Sequence, residues 1–366
     1  MRITRRELGM SALAAGALAG AEPSEPALDP VFWTLQNCDS APLRLTFRAT
    51  NKGEALLWQQ QLRVKLIELL GSFPARTPLK PRTLEVRNFP AYRREKFIFE
   101  SRPGVSVLAY LLTPAAKSAP FATAICVPGH GRGVDDIVGI DEQGNDRTVK
   151  QGYAYDFAIQ AVEHGMAAVA IEPMGFGYRR DPLNAQKGIT ANSCQPAAGA
   201  ALLFGQTMVG WRVWDAMRTI DWIQTRSELD ANRIGCIGIS GGGTCTQFTA
   251  ALDPRIKAAF VSGYLNTFRD SIMSVSHCID NYVPGILNWA ENYDVASLIA
   301  PRYFFSEGGD HDPIFPPHAT RAAFAKVKHT YEIFGVPERA QQQIFSGEHV
   351  FNGEKGLPFL AASLSS

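Results

Sequence analysis

Short, strongly apolar runs alternate with helix-forming segments along this chain, and that alternation is the feature that most limits its fold. FATAICV, MAAVAI, RIGCIGI, IKAAFVS and PRYFFS have the length of strands and few polar residues, and segments with helical spacing separate them. Strands that are apolar on both faces are typical of parallel sheets covered by helices on both sides. We therefore predict an α/β fold with a mostly parallel central sheet and right-handed connections.

Other elements are predicted around this core. Residues 51–75 contain GEALLWQQQLRVKLIELLGSFP, which has apolar residues at helical spacing and stops at glycine and proline, so an N-terminal helical extension is expected. REKFIFESRPG and VSVLAYLLTP are predicted to form an antiparallel hairpin around the R-P-G turn. Residues 265–297 lack a regular pattern and are predicted to be a small insertion before the strand PRYFFSEGG.

The first 21 residues predict an export signal. Arg5 and Arg6 precede a weakly apolar Ala/Leu/Gly stretch, which ends in A-G-A at residues 19–21. Paired arginines ahead of Glu7 and Leu8 resemble the twin-arginine signal, which is an address read by a receptor and not an anchor. We expect a periplasmic or secreted protein in which residues 22–50 form a linker and residues 51–366 form the domain.

Composition excludes several kinds of partner. The net charge is +1, so neither nucleic acid nor an anionic membrane surface is expected as a partner. No apolar run reaches the roughly 18 residues of a membrane-spanning helix, so stable membrane insertion is not expected.

Among the six cysteines, Cys194 and Cys278 lie in polar, loop-like stretches and are the pair to test for a disulfide. No C-x-x-C pair is present, so a structural zinc site is not expected, and the acyl transfer inferred below requires neither a metal nor an organic cofactor.

The motif G-x-S-x-G occurs at Gly238–Gly242, where an apolar strand ends and a helix begins. A serine on such a tight turn has a protruding hydroxyl, and the flanking glycines let the neighbouring backbones approach. The helix that follows presents its N-terminus where negative charge would develop, and the N–H of Gly241 would be one oxyanion donor. This context predicts that Ser240 is a nucleophile.

A nucleophilic serine needs a base, and the base needs an acid to orient it. In chain order the acid should follow a late strand and the histidine should come last. His349 follows the final strand AQQQIFSG, whereas the other six histidines lie earlier. Asp310 and Asp312 both follow the strand PRYFFSEGG, and the spacing leaves the choice between them open.

These residues together resemble the α/β-hydrolase superfamily, and within it the dienelactone hydrolase and acetyl xylan esterase-like group of serine esterases. The resemblance covers roughly residues 50–360, and its most specific pieces are RIGCIGISGGG, GGDHDPIFP and GEHVFNGE. It implies an α/β-hydrolase fold and a G-x-x-D turn that assigns the acid role to Asp312. The loop PGHGRGVDD resembles the H-G-x-G segment of esterases, which implies the N–H of Arg132 as second oxyanion donor, with Gly131 or Gly133 as alternatives.

The resemblance also bears on the substrate. Dienelactone hydrolase itself uses a cysteine nucleophile, so Ser240 favours ordinary carboxylic esters, and the group implies short acetyl-type esters of plant carbohydrate. Side chains expected to meet a small-molecule or carbohydrate ester are His130, Arg179, Tyr282 and Trp289.

Three other functions would fit part of the sequence. A serine peptidase of the prolyl-oligopeptidase type has the same nucleophile order, but such enzymes usually carry a propeller for which 366 residues leave no room. A metal-dependent hydrolase would use Asp310, His311 and Asp312, but adjacent residues on an extended segment point to opposite faces. A binding module derived from a hydrolase would not need the complete set of triad candidates.

Overall fold

The computed structural model describes residues 28–147 and 149–365. The predicted export signal lies outside the described residues. The chain divides into two compact units, one ending at Ser40 and one running from Ala41 to the C-terminus. In the first unit, part of the predicted linker forms a helix, α1 (Pro30–Asp39), whose first turn is capped by the Asp29 carboxylate. Among the described residues, no helix is both long and apolar enough to cross a membrane.

The second unit has helices and strands in alternation. Its helices are α2 (Lys52–Leu69), α3 (Phe157–Glu163), α4 (Pro182–Ala185), α5 (Cys194–Leu203), α6 (Met208–Ile223), α7 (Gly241–Leu252), α8 (Asn292–Ser297), α9 (Pro317–Ile333) and α10 (Gly356–Ser363). Its strands are β1 (Arg82–Asn88), β2 (Tyr92–Arg102), β3 (Val105–Pro114), β4 (Phe121–Val127), β5 (Ala167–Ile171), β6 (Leu229–Ile239), β7 (Ile256–Ser262), β8 (Tyr303–Gly309) and β9 (Ala340–Phe345).

All these strands form one sheet in the order β1-β2-β3-β5-β4-β6-β7-β8-β9. The pairs from β5 to β9 are parallel, while β1, β2 and β3 pair antiparallel with their neighbours. The predicted mostly parallel sheet, with helices on both faces, is thus confirmed.

Alternate residues of the central strands face two separate cores. In β4, Ile125 and Val127 belong to one hydrophobic cluster, which α6 and α7 cover, while Ala124 and Cys126 belong to the other, which α3 and α10 cover. Because both faces are apolar, these strands have the near-continuous hydrophobic runs seen in the sequence. Because the strands from β5 to β9 are parallel, their carboxyl ends all lie at one edge of the sheet, which is the usual location of a site in such folds.

Some elements differ from the sequence expectations. Strand β1 was not predicted, because RTLEVRN alternates charged residues and lies exposed at the edge of the sheet. Cys194 was placed in a loop but is the first residue of α5. The irregular segment between β7 and β8 contains short helical turns and α8, and part of it contributes to the site described next.

Candidate active site

Ser240 lies at the turn between β6 and α7 and has φ 56° and ψ −122°. This positive φ is unfavourable for a residue with a side chain and persists only where the surroundings enforce it. Here the Ser240 N–H donates to the carbonyl oxygen of Ser262 in the neighbouring strand β7, at 3.0 Å. The sharp turn places Ser240 directly before the N-terminus of α7.

Gly242 permits this turn because there is no space for a side chain at its position. A Cβ on Gly242 would overlap with the carbonyl oxygen of Val127 at the end of β4. Gly238 is similarly restricted, since its Cβ would overlap with the carbonyl of Gly242. The two flanking glycines of the motif are thus required by the close approach of β4, β6 and α7.

Asp312 lies in the turn after β8 and is buried. Its Oδ2 is 2.7 Å from Nδ1 of His349, and its Oδ1 accepts the backbone N–H groups of Ile314 and Phe315 at 2.8 and 2.9 Å. The carboxylate is therefore fixed by its own turn and oriented toward the imidazole. A proton on Nδ1 of His349 would complete this hydrogen bond and leave Nε2 as the basic nitrogen.

Asp310 has a different environment from Asp312. Its side chain is 39% exposed, and its Oδ1 accepts the Gly347 N–H at 2.9 Å and contacts Nδ1 of His311 at 2.6 Å. Asp310 thus holds the loop that carries His349 without contacting its ring. His311 is also exposed, and the structure does not bring Asp310, His311 and Asp312 together around a common point.

A buried carboxylate supports the histidine loop from below. Glu307, in β8, accepts the N–H groups of Asn352 and Gly353, both at 3.0 Å, and the Ser262 hydroxyl at 2.8 Å. Burial raises the pKa of Glu307 to about 7. Its bonds connect the loop after β9 to both β7 and β8, and no sequence motif indicated this role.

Ser240 and His349 line one cavity of about 390 Å³. The remaining lining comes from His130, Tyr153, Ile314 and residues 275–278 of the insertion. Nε2 of His349 is buried and has no hydrogen-bond partner among the described residues. Such incomplete contacts are common before a substrate is bound, and both residues line the space that a substrate would fill.

The prediction that the N–H of Arg132 is the second oxyanion donor is wrong. Its backbone N–H already donates to Oδ2 of Asp136 at 2.8 Å, and its guanidinium binds the same carboxylate. In this loop of the described chain, the N–H groups of His130, Gly131 and Gly133 remain without a protein acceptor.

Three expected substrate-binding side chains lie outside the cavity lining. Arg179 is committed to Asp215, at 2.7 Å, and to the Glu172 carbonyl, at 3.0 Å. The Tyr282 hydroxyl donates to the carbonyl of Ile272, and Trp289 stacks below Nζ of Lys65 at 4.2 Å. Each therefore supports a local structure, and of the four expected residues only His130 reaches the cavity.

His277 and Tyr153 contribute to the cavity and were not predicted. Burial lowers the pKa of His277 to about 4, so its ring is neutral near pH 7. The amide of Asn281 lies 3.3 Å from its Nδ1, and its Nε2 is buried without a partner among the described residues. The sequence does not predict that His277 reaches the cavity, because it lies in an irregular insertion that has no periodic pattern.

Cys194 and Cys278 are the pair that the sequence marks as candidates for a disulfide. Both are free thiols in the structure. They nevertheless lie in one cluster with His130 and Asp280, beside the cavity. Cys278 lines the cavity, and Cys194 is buried behind it.

A family comparison places the chain among known proteins. Residues 39–349 match the model described as "Abhydrolase family". YtaP of Bacillus subtilis strain 168, whose name marks it as a candidate hydrolase, is 27% identical over 263 residues, which cover 69% of this chain and 81% of YtaP.

Solved structures share the fold at low sequence identity. A candidate acetyl xylan esterase of Bacteroides fragilis has a TM-score of 0.76 at 20% identity, with 94% of this chain and 97% of that one covered. A glucuronoyl esterase from Solibacter usitatus has a TM-score of 0.64 at 16% identity, with 94% and 99% covered.

Proposed function

The chain belongs to the Abhydrolase family, and on that premise we propose that it is a serine carboxylic-ester hydrolase that forms an acyl-enzyme on Ser240. The observation that carries this proposal is the relation of three side chains. Ser240 and His349 line the same cavity, while Asp312 binds the far nitrogen of the His349 ring. This is the arrangement that a nucleophile, its base and an orienting acid require.

In the first half of the reaction, Nε2 of His349 takes the proton of the Ser240 hydroxyl as its oxygen attacks the ester carbonyl. Asp312 keeps the Nδ1 proton in place and stabilises the imidazolium that forms. The oxyanion then accepts hydrogen bonds from the N–H of Gly241 and, in place of Arg132, from that of His130. One such donor is typically worth about 3–4 kcal/mol in the transition state.

Acylation is complete when His349 gives this proton to the departing alcohol oxygen, which leaves an acyl group on Ser240. Water then attacks the acyl carbonyl, giving a proton to His349, and Ser240 regains its hydroxyl proton when the acid is released. The chain's own residues provide every proton transfer in this scheme.

We propose short acyl groups, such as acetyl, on plant carbohydrate as the substrate class. Two related structures carry the names acetyl xylan esterase and glucuronoyl esterase, which supports a carbohydrate ester. The cavity supports it as well: His277 lines it and is neutral near pH 7, and its Nε2 has no partner among the described residues. A neutral imidazole can donate to or accept from a sugar hydroxyl.

The test combines covalent labelling with a substrate panel. A fluorophosphonate should label the wild-type protein on Ser240, and the Ser240→Ala variant should show neither labelling nor ester hydrolysis above a trace. Ser276→Ala is the matched control, because Ser276 is another serine of the cavity lining, and this variant should still be labelled. Labelling that survives in Ser240→Ala would refute the assignment.

The panel should contain p-nitrophenyl esters of increasing acyl length, acetylated xylan, a methyl ester of a uronic acid and a proline-containing peptide amide. Preference for acetyl esters supports the proposed substrate class. Preference for the peptide amide would instead support the prolyl-oligopeptidase-type alternative.

A further inference from the structure

A cluster of metal-binding side chains lies beside the cavity, outside the catalytic groups. His130, Cys194, Cys278 and Asp280 each present one ligand atom, and all four atoms lie within 4.8 Å of one another. Nε2 of His130 is 3.3 Å from Oδ2 of Asp280 and 3.7 Å from Sγ of Cys194. Sγ of Cys194 is 3.3 Å from the same oxygen of Asp280.

The three distances among His130, Cys194 and Asp280 match the edges of a zinc tetrahedron, and Sγ of Cys278 lies within 4.8 Å of each of the other ligand atoms. With metal–ligand bonds of about 2.0–2.1 Å to nitrogen and oxygen and about 2.3 Å to sulfur, the tetrahedral edges are about 3.3–3.8 Å. The donor set also suits zinc, because two sulfurs, one imidazole and one carboxylate are all ligands that Zn²⁺ accepts. We propose that His130, Cys194, Cys278 and Asp280 form a tetrahedral Zn²⁺ site with a structural role.

The charges around the cluster balance when zinc is bound. Arg212 donates to Oδ2 of Asp280 at 2.5 Å, so this buried pair is neutral by itself. Zn²⁺ would then displace the protons of the two thiols, release them to solvent and bind the two thiolates that result. The guanidinium also lies 3.5 Å from Sγ of Cys194, where it can donate to the metal-bound sulfur.

Burial argues for a ligand and against a simple polar cluster. Cys194 and Asp280 are buried, and His130 and Cys278 are partly buried. A disulfide between the two cysteines would use only the sulfurs and would leave the His130 imidazole, 3.7 Å from Sγ of Cys194, outside the linkage. A tetrahedral metal uses all four groups.

Zinc at this position would stabilise the surroundings of the nucleophile. His130 lies in the loop after β4, Cys194 begins α5, and Cys278 and Asp280 belong to the insertion. A Cβ on Gly241 would lie 3.5 Å from Nδ1 of His130, so the His130 ring packs beside the residue after the nucleophile. The metal would thus join three separate segments around the opening of the cavity and would position the His130 loop.

The experiment measures zinc in the full-length protein purified under reducing conditions and dialysed against a small excess of Zn²⁺. We expect about one tightly bound zinc ion per chain. Replacement of zinc by Co²⁺ should give thiolate-to-cobalt charge-transfer absorption. Cys278→Ser should lose most of the bound metal and that absorption, whereas Cys126→Ser, a buried cysteine outside the cluster, should keep both.

The wild-type measurement decides the proposal even if a variant fails to fold. A wild-type chain that binds no zinc above background refutes it. So does zinc content that Cys278→Ser leaves unchanged. A Cys194–Cys278 cross-linked peptide in the protein purified without reductant, together with no zinc uptake after reduction, would refute it in favour of a disulfide.

Discussion

Asp312 is constrained on both of its oxygens. Oδ1 accepts two backbone N–H groups from the turn that follows it, and Oδ2 is left for His349. A carboxylate held in this way cannot rotate without losing hydrogen bonds that cost about 1–3 kcal/mol each when left unmade in a buried site. The orientation of the His349 ring is therefore set by the turn after β8 before any substrate arrives.

The first prediction separates the two neighbouring carboxylates. Asp312→Asn keeps a carbonyl oxygen for Ile314 and Phe315 but no longer stabilises a charged imidazole, so kcat should fall by about 10³-fold or more. Asp310→Asn removes a charge that contacts only Gly347 and His311, so its kcat should stay within a few-fold of wild type.

Steady-state kinetics on the best p-nitrophenyl ester measure both variants, and circular dichroism checks that they are folded. If Asp310→Asn loses more activity than Asp312→Asn, the roles assigned to the two residues are reversed.

Single residues differ in how well the sequence predicts them. The positions of Ser240, Asp312 and His349 relative to the strands are legible, because each lies within a few residues of the end of a strand that the sequence predicts. The role of the Arg132 N–H was not, because it depends on a hydrogen bond to a side chain four residues further along a loop. Loop hydrogen bonds of this kind leave no periodic signal in a sequence.

At the scale of elements, the end of β7 supports the histidine loop. Gly263 follows β7 with φ 50°, and a Cβ there would lie 2.9 Å from Cε1 of His349. The loops after β7, β8 and β9 therefore meet at the imidazole, whose ring also stacks on Phe315 with centroids 5.5 Å apart. The position of His349 depends on all three strand ends.

The second prediction tests this support with two glycines of similar backbone. Gly263→Ala should lose about 1–2 kcal/mol of stability from the positive φ and should lower kcat by displacing His349. Gly335→Ala is the control, because Gly335 also has a positive φ, 75°, but no atom within 4 Å of its would-be Cβ.

Thermal unfolding and kinetics on both variants distinguish the two effects. We expect Gly263→Ala and Gly335→Ala to lose similar amounts of stability, and only Gly263→Ala to lose activity. Equal activity in the two variants would show that the contact with His349 is unimportant.

The elements themselves were predicted unevenly. Strands β4, β5, β7 and β8 and the second half of β6 were recognisable because both of their faces are buried, so hydrophobicity alone marks them. Strand β1 and helix α5 were missed for opposite reasons: RTLEVRN is polar and exposed at an edge, and CQPAAGAALL contains proline and glycine, which usually argue against a helix. The convergence of α5 with the insertion was hidden for the same reason.

On the scale of the whole molecule, several carboxyl groups are buried without forming an ion pair among the described residues. Burial raises the pKa of Glu172 to about 8 and that of Glu291 to about 7, in the same direction as Glu307. Glu172 accepts the N–H groups of Val134 and Tyr178 at 3.1 and 3.2 Å, which offsets only part of the desolvation. The folded protein therefore binds these protons up to a higher pH than the unfolded chain does.

The third prediction concerns the pH dependence of stability. Since the folded pKa of Glu172 is about 8 against an ordinary value of 4.5, stability from this group is present at low pH and is lost as pH rises toward 8. His277, with a lowered pKa, acts with the opposite sign between about 4 and 6.5, so the effect of Glu172 is best isolated by comparing variants.

Relative to wild type, Glu172→Gln should gain about 2 kcal/mol at most between pH 6.5 and 8. Glu163→Gln, which alters an exposed carboxyl, should show no such change. Urea unfolding at several pH values measures the difference. A constant offset between Glu172→Gln and wild type across this range would contradict the assigned pKa.

The crowded junction of β4, β6 and α7 has a consequence for how proteins of this kind diversify. Because a side chain at Gly242 would collide with Val127, the nucleophile is set into a part of the molecule that tolerates almost no change. Val275, Ser276 and His277 of the cavity wall, by contrast, come from the segment between β7 and β8, outside the sheet and outside the proposed zinc ligands, where loop residues tolerate change better than strand residues do. Substitutions at these three positions can therefore alter the substrate while the chemical step stays the same, and directed-evolution libraries should be concentrated there.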